Sequence, residues 1–419
     1  MSSPRGIDII KQKLKYIDKT YWVVFIFLIV FAVIELFSAS STLAFKSGSL
    51  LGPLWHQVQF ILIGAIIGFV VQLFPSKIIR YGGYALLGVA VICLYLMIIP
   101  GNPFVSNIND AERWFKLFGF SFQPSELAKL GLIIVVADRL SQAHEDEQEL
   151  VKEFYRTLIL SAVVILPILM GNLSTALLLA GVIFLMWFFA RVPLKYLGGV
   201  LSIAVIILVS GYFIVEYGFV RAHRPLGGPF KRAVTWVGRI DRFIAQDDTP
   251  TDGDDDYQRN HATLAIARGG ASPLGVLPGN SVERNFLPLA YADYIFAIVV
   301  EETGIIGSFI LIALYVVVLF RACYTSSRYA DYGAMLMVMG LALMLTTQAF
   351  VSMAVAVGLG PVTGQPLPMV SRGGTSVLVT SLYFAILMCV SREQNERQDL
   401  LEQSRADSYE TVPDIQFDS

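Results

Sequence analysis

Charge is scarce in this chain. Asp, Glu, Lys and Arg make up 15% of the 419 residues, against 55% hydrophobic ones. A soluble domain carries roughly 25% charged residues and about 45–50% apolar ones, so a water-soluble fold is excluded. Cysteine is rarer still. Cys93, Cys323 and Cys389 lie in or beside apolar runs and form no CxxC pair, which leaves neither a disulfide framework nor a thiolate metal site. The four histidines, His56, His144, His223 and His261, are scattered without an HxxxH or Cys/His cluster, so a dedicated zinc site is not indicated. Alternating strand-length segments are missing, which excludes a transmembrane barrel.

What is present comes in long apolar runs, such as YWVVFIFLIVFAVIELF and LILSAVVILPILM. About twenty such residues cross a bilayer as a helix. The pattern predicts an all-α polytopic membrane protein with ten spans. They start near Tyr21, Pro53, Ile79, Ser125, Tyr155, Asn172, Lys195, Asp293, Ala330 and Gly374, the fifth and sixth turning tightly at Met170–Gly171. The first apolar run is too long for a signal peptide and reads as an uncleaved anchor. Residues 1–20, with Ile10, Leu14 and Ile17 on one face among lysines, read as a segment lying on the inner surface.

Basic residues flank alternate connections: the N-terminal tail, then Lys77 and Arg80, Arg139, Lys152 and Arg156, Arg191 and Lys195, Arg321 and Arg328, and the C-terminal tail. The positive-inside rule therefore puts both termini in the cytoplasm. The membrane domain is expected over 21–391. A large extracytoplasmic loop covers 219–292 between the seventh and eighth spans, and residues 392–419 form a polar cytoplasmic tail read as disordered. Inside the loop, Val234, Val237, Ile240 and Ile244 make one stripe of a short amphipathic helix. The acidic DDTPTDGDDD that follows does not fit a calcium loop and reads as a solvated turn.

Polar residues gather at the outer end. The fourth, eighth and tenth spans begin there, at SFQPSELAKL, at Asp293 and at GQPLPMVSRGGTS. Helix N-termini with added Lys or Arg suit an anion such as phosphate. Lys129 is either part of such a site or an i,i+3 partner of Glu126. Arg113 either joins it or snorkels at the interface beside Trp114. Asp293 stands at headgroup depth. Glu301 and Glu302 lie farther in, where ionisable groups are costly, and are read as structural polar residues that hold the bundle.

Four stretches carry a family resemblance: RWFKLFGFSFQPSELAKL, YQRNHATLAIARGGASPLGVLPGNS, FLPLAYADYIFAIVVEETGIIG and GPVTGQPLPMVSRGGTS. In this order they resemble the SEDS proteins (shape, elongation, division and sporulation), and GNS within the loop resembles the division branch more than the elongation branch. The resemblance implies a glycosyltransferase that polymerises lipid II at the outer face of the bacterial plasma membrane, at the septum. It implies Asp293 as the catalytic base, with the family's basic residues on Arg113 and Lys129; Gln123, Glu126, Ser371 and Arg372, in the same outer motifs, are expected to bind substrate beside them. Inversion at the anomeric carbon would give the β-linkage. The implied partners are lipid II, the undecaprenyl-pyrophosphate-linked glycan, a class B penicillin-binding protein and other division proteins, with no nucleic acid. No cofactor is required, although a divalent cation, Mg or Mn, is compatible with the chemistry. A lipid II flippase is the main alternative, and a non-catalytic division scaffold a third reading. Transporters tend to show internal repeats and midplane charges, and neither is evident here.

The chain departs from the family pattern in places. Leu289 and Tyr291-Ala292 replace a Glu and a His-Thr pair, Leu173 stands where an Asp is usual, and Arg372 where Tyr is common. The acidic loop stretch is also unusual.

Overall fold

The computed structural model describes residues 13–47, 52–99, 102, 105–108, 111–117, 120–221, 231–245, 254–287, 294–327, 329 and 331–410. Its long helices are α1 (Lys19–Ser47), α2 (Gly52–Val71), α3 (Ser76–Ile98), α4 (Pro124–Gln142), α5 (Glu147–Gly171), α6 (Leu173–Phe189) and α7 (Leu194–Val215). Two loop helices follow, α8 (Lys231–Ala245) and α9 (Asp254–Gly270), then α10 (Ile295–Ser326), α11 (Tyr332–Ala356) and α12 (Gly374–Glu410). The expected starts near Tyr21, Pro53, Ile79, Ser125, Tyr155, Lys195 and Gly374 fall on long helices, Asn172 caps α6, and Asp293 and Ala330 lie outside the described residues. Six of these helices are long and apolar enough to cross a membrane by length and composition alone.

The central helices differ from the peripheral ones in a way that burial explains. Helix α4 carries Glu126, Lys129, Asp138 and Arg139 and is less apolar than its neighbours, yet it is buried along most of its length. It packs on α3, α5 and α11 rather than on lipid. Helix α7 is its opposite, with Leu197 its single buried residue. An apolar helix exposed on nearly all sides belongs against lipid. At one end of the bundle, Arg80 pairs with Asp331 and lies 3.5 Å from Asp138, while Arg321 binds Asp18 at 2.9 Å. These pairs fasten the neighbouring ends of α1, α3, α4, α10 and α11.

Three features differ from the expectation. A small antiparallel sheet, β1 (Val105–Ile108), β2 (Ala111–Leu117) and β3 (Phe120–Phe122), precedes α4. Phe115 and Phe122 pack across it as tilted rings with centroids 5.6 Å apart, a cross-strand aromatic pair of the kind that stabilises short strands. The acidic Asp254–Asp256 open helix α9 instead of forming a turn, because carboxylates are favoured at a helix N-terminus. Residues 247–253 of that stretch lie outside the described residues.

The tail also differs, since α12 continues to Glu410. Glu393 and Arg397 pair at i,i+4, and the N-terminal segment supplies further contacts. Tyr16 donates to Asp399 at 2.5 Å, and Asn395 donates to the Tyr16 carbonyl at 3.1 Å. The segment following the seventh span holds the expected amphipathic helix as α8, with Val237 buried.

Helix α10 is broken at Gly304, whose φ of 66° and ψ of −161° are non-helical. A break in a membrane helix frees backbone groups that lipid cannot satisfy. Here the loop between α9 and α10 satisfies them. Val276 N–H donates to the Glu301 carbonyl at 2.9 Å, and Ile306 N–H donates to the Pro273 carbonyl at 3.2 Å. The loop therefore reaches to Gly304, about 13 Å along the helix from Ile295.

Candidate active site

The QPSELAK motif forms the first turns of α4. Gln123 caps the helix and Pro124 sits in its first turn, where a missing N–H costs nothing. That geometry turns Glu126 and Lys129 inward together. The Lys129 ammonium lies 2.7 Å from a Glu126 carboxylate oxygen, and its side chain is 1% exposed. It also donates to Gln348 Oε1 on α11 at 2.8 Å. Gln348 Nε2 in turn donates to the Pro366 carbonyl at 3.1 Å.

Two motifs far apart in sequence thus meet through one amide. Pro366 belongs to the GQPLPMVSRGGTS stretch, which further contacts hold on the bundle. Gln365 donates to Thr175 on α6, Tyr315 on α10 donates to the Pro368 carbonyl, and Arg239 on α8 donates to the Val362 carbonyl at 3.0 Å. Ser371 is buried, and its hydroxyl accepts from Leu367 N–H at 2.7 Å. It therefore shapes the loop from within. Arg372 is half-buried in the same stretch, just before the N-terminus of α12.

Asp293 lies outside the described residues. Arg113 is on β2, which lies against α3, α4 and α5; its side chain is not among those described. The structure accordingly brings Glu126, Lys129 and the PLPMVSR segment together.

Glu301 and Glu302 are both fully buried. Glu301 accepts from Val282 N–H at 3.2 Å and from the Ser281 hydroxyl, with Arg268 Nη1 3.3 Å away. Glu302 accepts from the Ser38 hydroxyl on α1 and lies 3.7 Å from Arg284 Nη1. Both carboxylates therefore face loop residues: one ties the loop to α10, the other ties it to α1 and α10 together.

The sequence reading passed over Gln348, Tyr383 and Glu35. Gln348 is an amide inside the apolar LMLTTQAFVSM, and polar residues inside membrane helices are rare enough to signal a role. Tyr383 on α12 is buried, and its hydroxyl has no hydrogen-bond partner among the described residues. Glu35, within the first apolar run, is buried with neither carboxyl oxygen hydrogen-bonded to a described residue.

The chain is 31% identical over 370 residues to a protein of Nitrosomonas europaea, spanning 86% of this chain and 89% of the relative. It is 32% identical over 349 residues to a protein of Saccharophagus degradans, spanning 81% and 83%. Both bear the name probable peptidoglycan glycosyltransferase FtsW. Among solved structures, a chain of a peptidoglycan synthase complex matches with a TM-score of 0.69 at 23% identity, covering 90% of this chain and 98% of that one. The rod shape determining protein RodA of Thermus thermophilus matches with a TM-score of 0.59 at 22% identity, covering 90% and 97%. At these identities the two structures speak for the fold. The family model for FtsW, RodA and SpoVE, described as cell cycle protein, matches residues 18–396, and the chain belongs to that family, the SEDS proteins its motifs resemble.

Proposed function

We propose that this protein polymerises lipid II into glycan strands at the outer face of the plasma membrane, in septal wall synthesis during division. The observation that carries the site is the buried Lys129, held by Glu126 and Gln348 against the PLPMVSR segment. Relatives over most of the chain are named as peptidoglycan glycosyltransferases of the FtsW type, which supports both the reaction class and the division role.

The chemistry requires a base and an anion site. The 4-hydroxyl of the acceptor's terminal GlcNAc attacks the anomeric carbon of the donor sugar, and its proton passes to the Asp293 carboxylate. The bond from that carbon to the pyrophosphate oxygen breaks, and the undecaprenyl pyrophosphate leaves with the electron pair. Lys129, Arg113 and Arg372, with the N-terminus of α4, stabilise the departing charge. Glu126 and Gln348 set the lysine's position, Ser371 sets that of the loop, and Gln123, at the N-cap position of α4, is taken to bind substrate. Among the described residues no group of three or more His, Cys, Asp and Glu could hold Mg or Mn, and no step above runs through a metal.

A flippase would also bind a lipid pyrophosphate, and transporters do use broken helices. Here the break at Gly304 is filled by loop hydrogen bonds, which favours a fixed scaffold. The partner in this reading is a class B penicillin-binding protein, in keeping with the fold match to a chain of a peptidoglycan synthase complex. Purified protein incubated with lipid II and that transpeptidase tests the assignment. Glycan strands support it, whereas lipid II movement across liposomes without strands favours the flippase.

A further inference from the structure

The outer loop ends in a chain of polar contacts that the reaction does not use directly. His261 on α9 lies between Tyr257 and Phe286, its ring stacked on Phe286 with centroids 5.1 Å apart. Its Nδ1 is 2.6 Å from Glu283 Oε2. The other Glu283 oxygen is 3.4 Å from Arg268 Nη1, and the same nitrogen is 3.3 Å from Glu301 Oε1. One guanidinium nitrogen therefore bridges a loop carboxylate and a fully buried helix carboxylate. Two hydrogen bonds from 281 and 282 complete the hold on Glu301.

The backbone geometry shows how close the two pieces lie. A Cβ at Gly269, next to Arg268, would come within 2.0 Å of the Val300 carbonyl oxygen. Helix α9 thus rests directly on the backbone of α10. The loop then passes through Glu283–Asn285 to Leu287, which packs on Ile298 of α10. Leu287 and Tyr294 flank the six residues that end at Asp293, and both are buried.

We propose that Arg268 is a positioning residue for glycosyl transfer. By clamping Glu283 to Glu301 it fixes the outer loop on α10, and so holds Leu287, the last described residue before the stretch that carries Asp293, against that helix. Its side chain is 44% exposed, so its role lies in the bridge rather than in filling the core. This inference rests on Asp293 being the base. Misplacing a base by a small distance lowers turnover without weakening substrate binding. Since one nitrogen makes both contacts, an ammonium at that point can replace it.

The test is steady-state lipid II polymerisation by the full-length protein with its transpeptidase partner, across pH. Arg268→Ala should lower kcat tenfold or more while KM for lipid II stays within twofold. The midpoint of the acid limb of kcat should not move, and Arg268→Lys should recover at least half of the lost rate. A kcat within twofold of wild type overturns the proposal. So does a fall in kcat matched by an equal rise in KM, a shifted acid limb, or no recovery with Lys. If Arg268→Ala does not fold, Ser281→Ala, which removes one hydroxyl donor to Glu301, is held to the same kcat and KM criteria. Asp293→Asn runs alongside. If it stays active, the base assignment fails; if it is dead while Arg268→Ala is normal, the positioning role alone fails.

Discussion

The Lys129 ammonium donates to Gln348 Oε1 at 2.8 Å, across the packed interface of α4 and α11. A buried cation needs such partners, because removing one side of a buried ion pair costs about 3–5 kcal/mol. Lys129→Gln should therefore cut polymerisation by about a hundredfold or more, and thermal unfolding in detergent should show a clear loss of stability from the unpaired Glu126. Gln348→Leu keeps the ion pair but loses the link to Pro366. It should lose about tenfold in rate and about 1–3 kcal/mol in stability.

Gly304 has a backbone conformation essentially reserved for glycine, of the kind that costs about 1–3 kcal/mol with another residue. A Cβ there would also meet Gly275 N at 2.4 Å and the Ser272 and Pro273 carbonyls. Gly304→Ala should displace the loop from the helix break. Faster amide exchange over 272–276 in hydrogen-exchange mass spectrometry would report it, with a fall in polymerisation. Unchanged protection would contradict the plug.

Glu35 points the other way. Its carboxyl is buried without a hydrogen-bond partner on a helix whose Ser38 binds Glu302. Replacing it with a residue of similar size and no polar group removes a desolvation cost. Glu35→Leu should raise stability by about 1–3 kcal/mol, seen as a higher thermal midpoint in detergent. A lower midpoint would show that the carboxyl has a partner it needs.

The contact between the N-terminal segment and the end of α12 should depend on pH in two directions. Hydrogen bonding from Tyr16, then from Lys15, holds the Asp399 carboxyl below its ordinary range. The same bond to Asp399 raises the Tyr16 hydroxyl, and a bond to Asp399 likewise raises the Lys15 ammonium. A lowered carboxyl contributes stability above its unfolded value, about 4, and loses it as pH falls through the folded value. A raised hydroxyl or ammonium contributes below its unfolded value, about 10, and loses it as pH rises through the folded one. Docking should be flat between these limits. Spin labels on the two segments should separate at both extremes, and Asp399→Asn should remove the acid transition.

The long helices were legible in the sequence, since apolar runs depend on local composition. The convergence of QPSELAK with PLPMVSR was only partly legible. The motifs pointed to one end of the bundle, but Gln348, which joins them, is a single amide in an apolar run. The β1–β3 sheet was missed because its strands are shorter than a helix turn pattern needs and sit between spans. The α12 extension was missed because polar composition alone does not distinguish a disordered tail from a helix docked on Tyr16. Glu301 and Glu302 were read as holding the bundle together, and the structure adds what composition cannot show. Apart from Ser38 on α1, the partners named above, Arg268, Ser281, Val282 and Arg284, come from the segment between α8 and α10.

The most direct test of the central claim compares wild type with Asp293→Asn in lipid II polymerisation with the transpeptidase partner present. Wild type should make glycan strands, and a folded Asn variant, lacking the base, should make none. Strands from both would contradict Asp293 as the base, and strands from neither would contradict the polymerase itself.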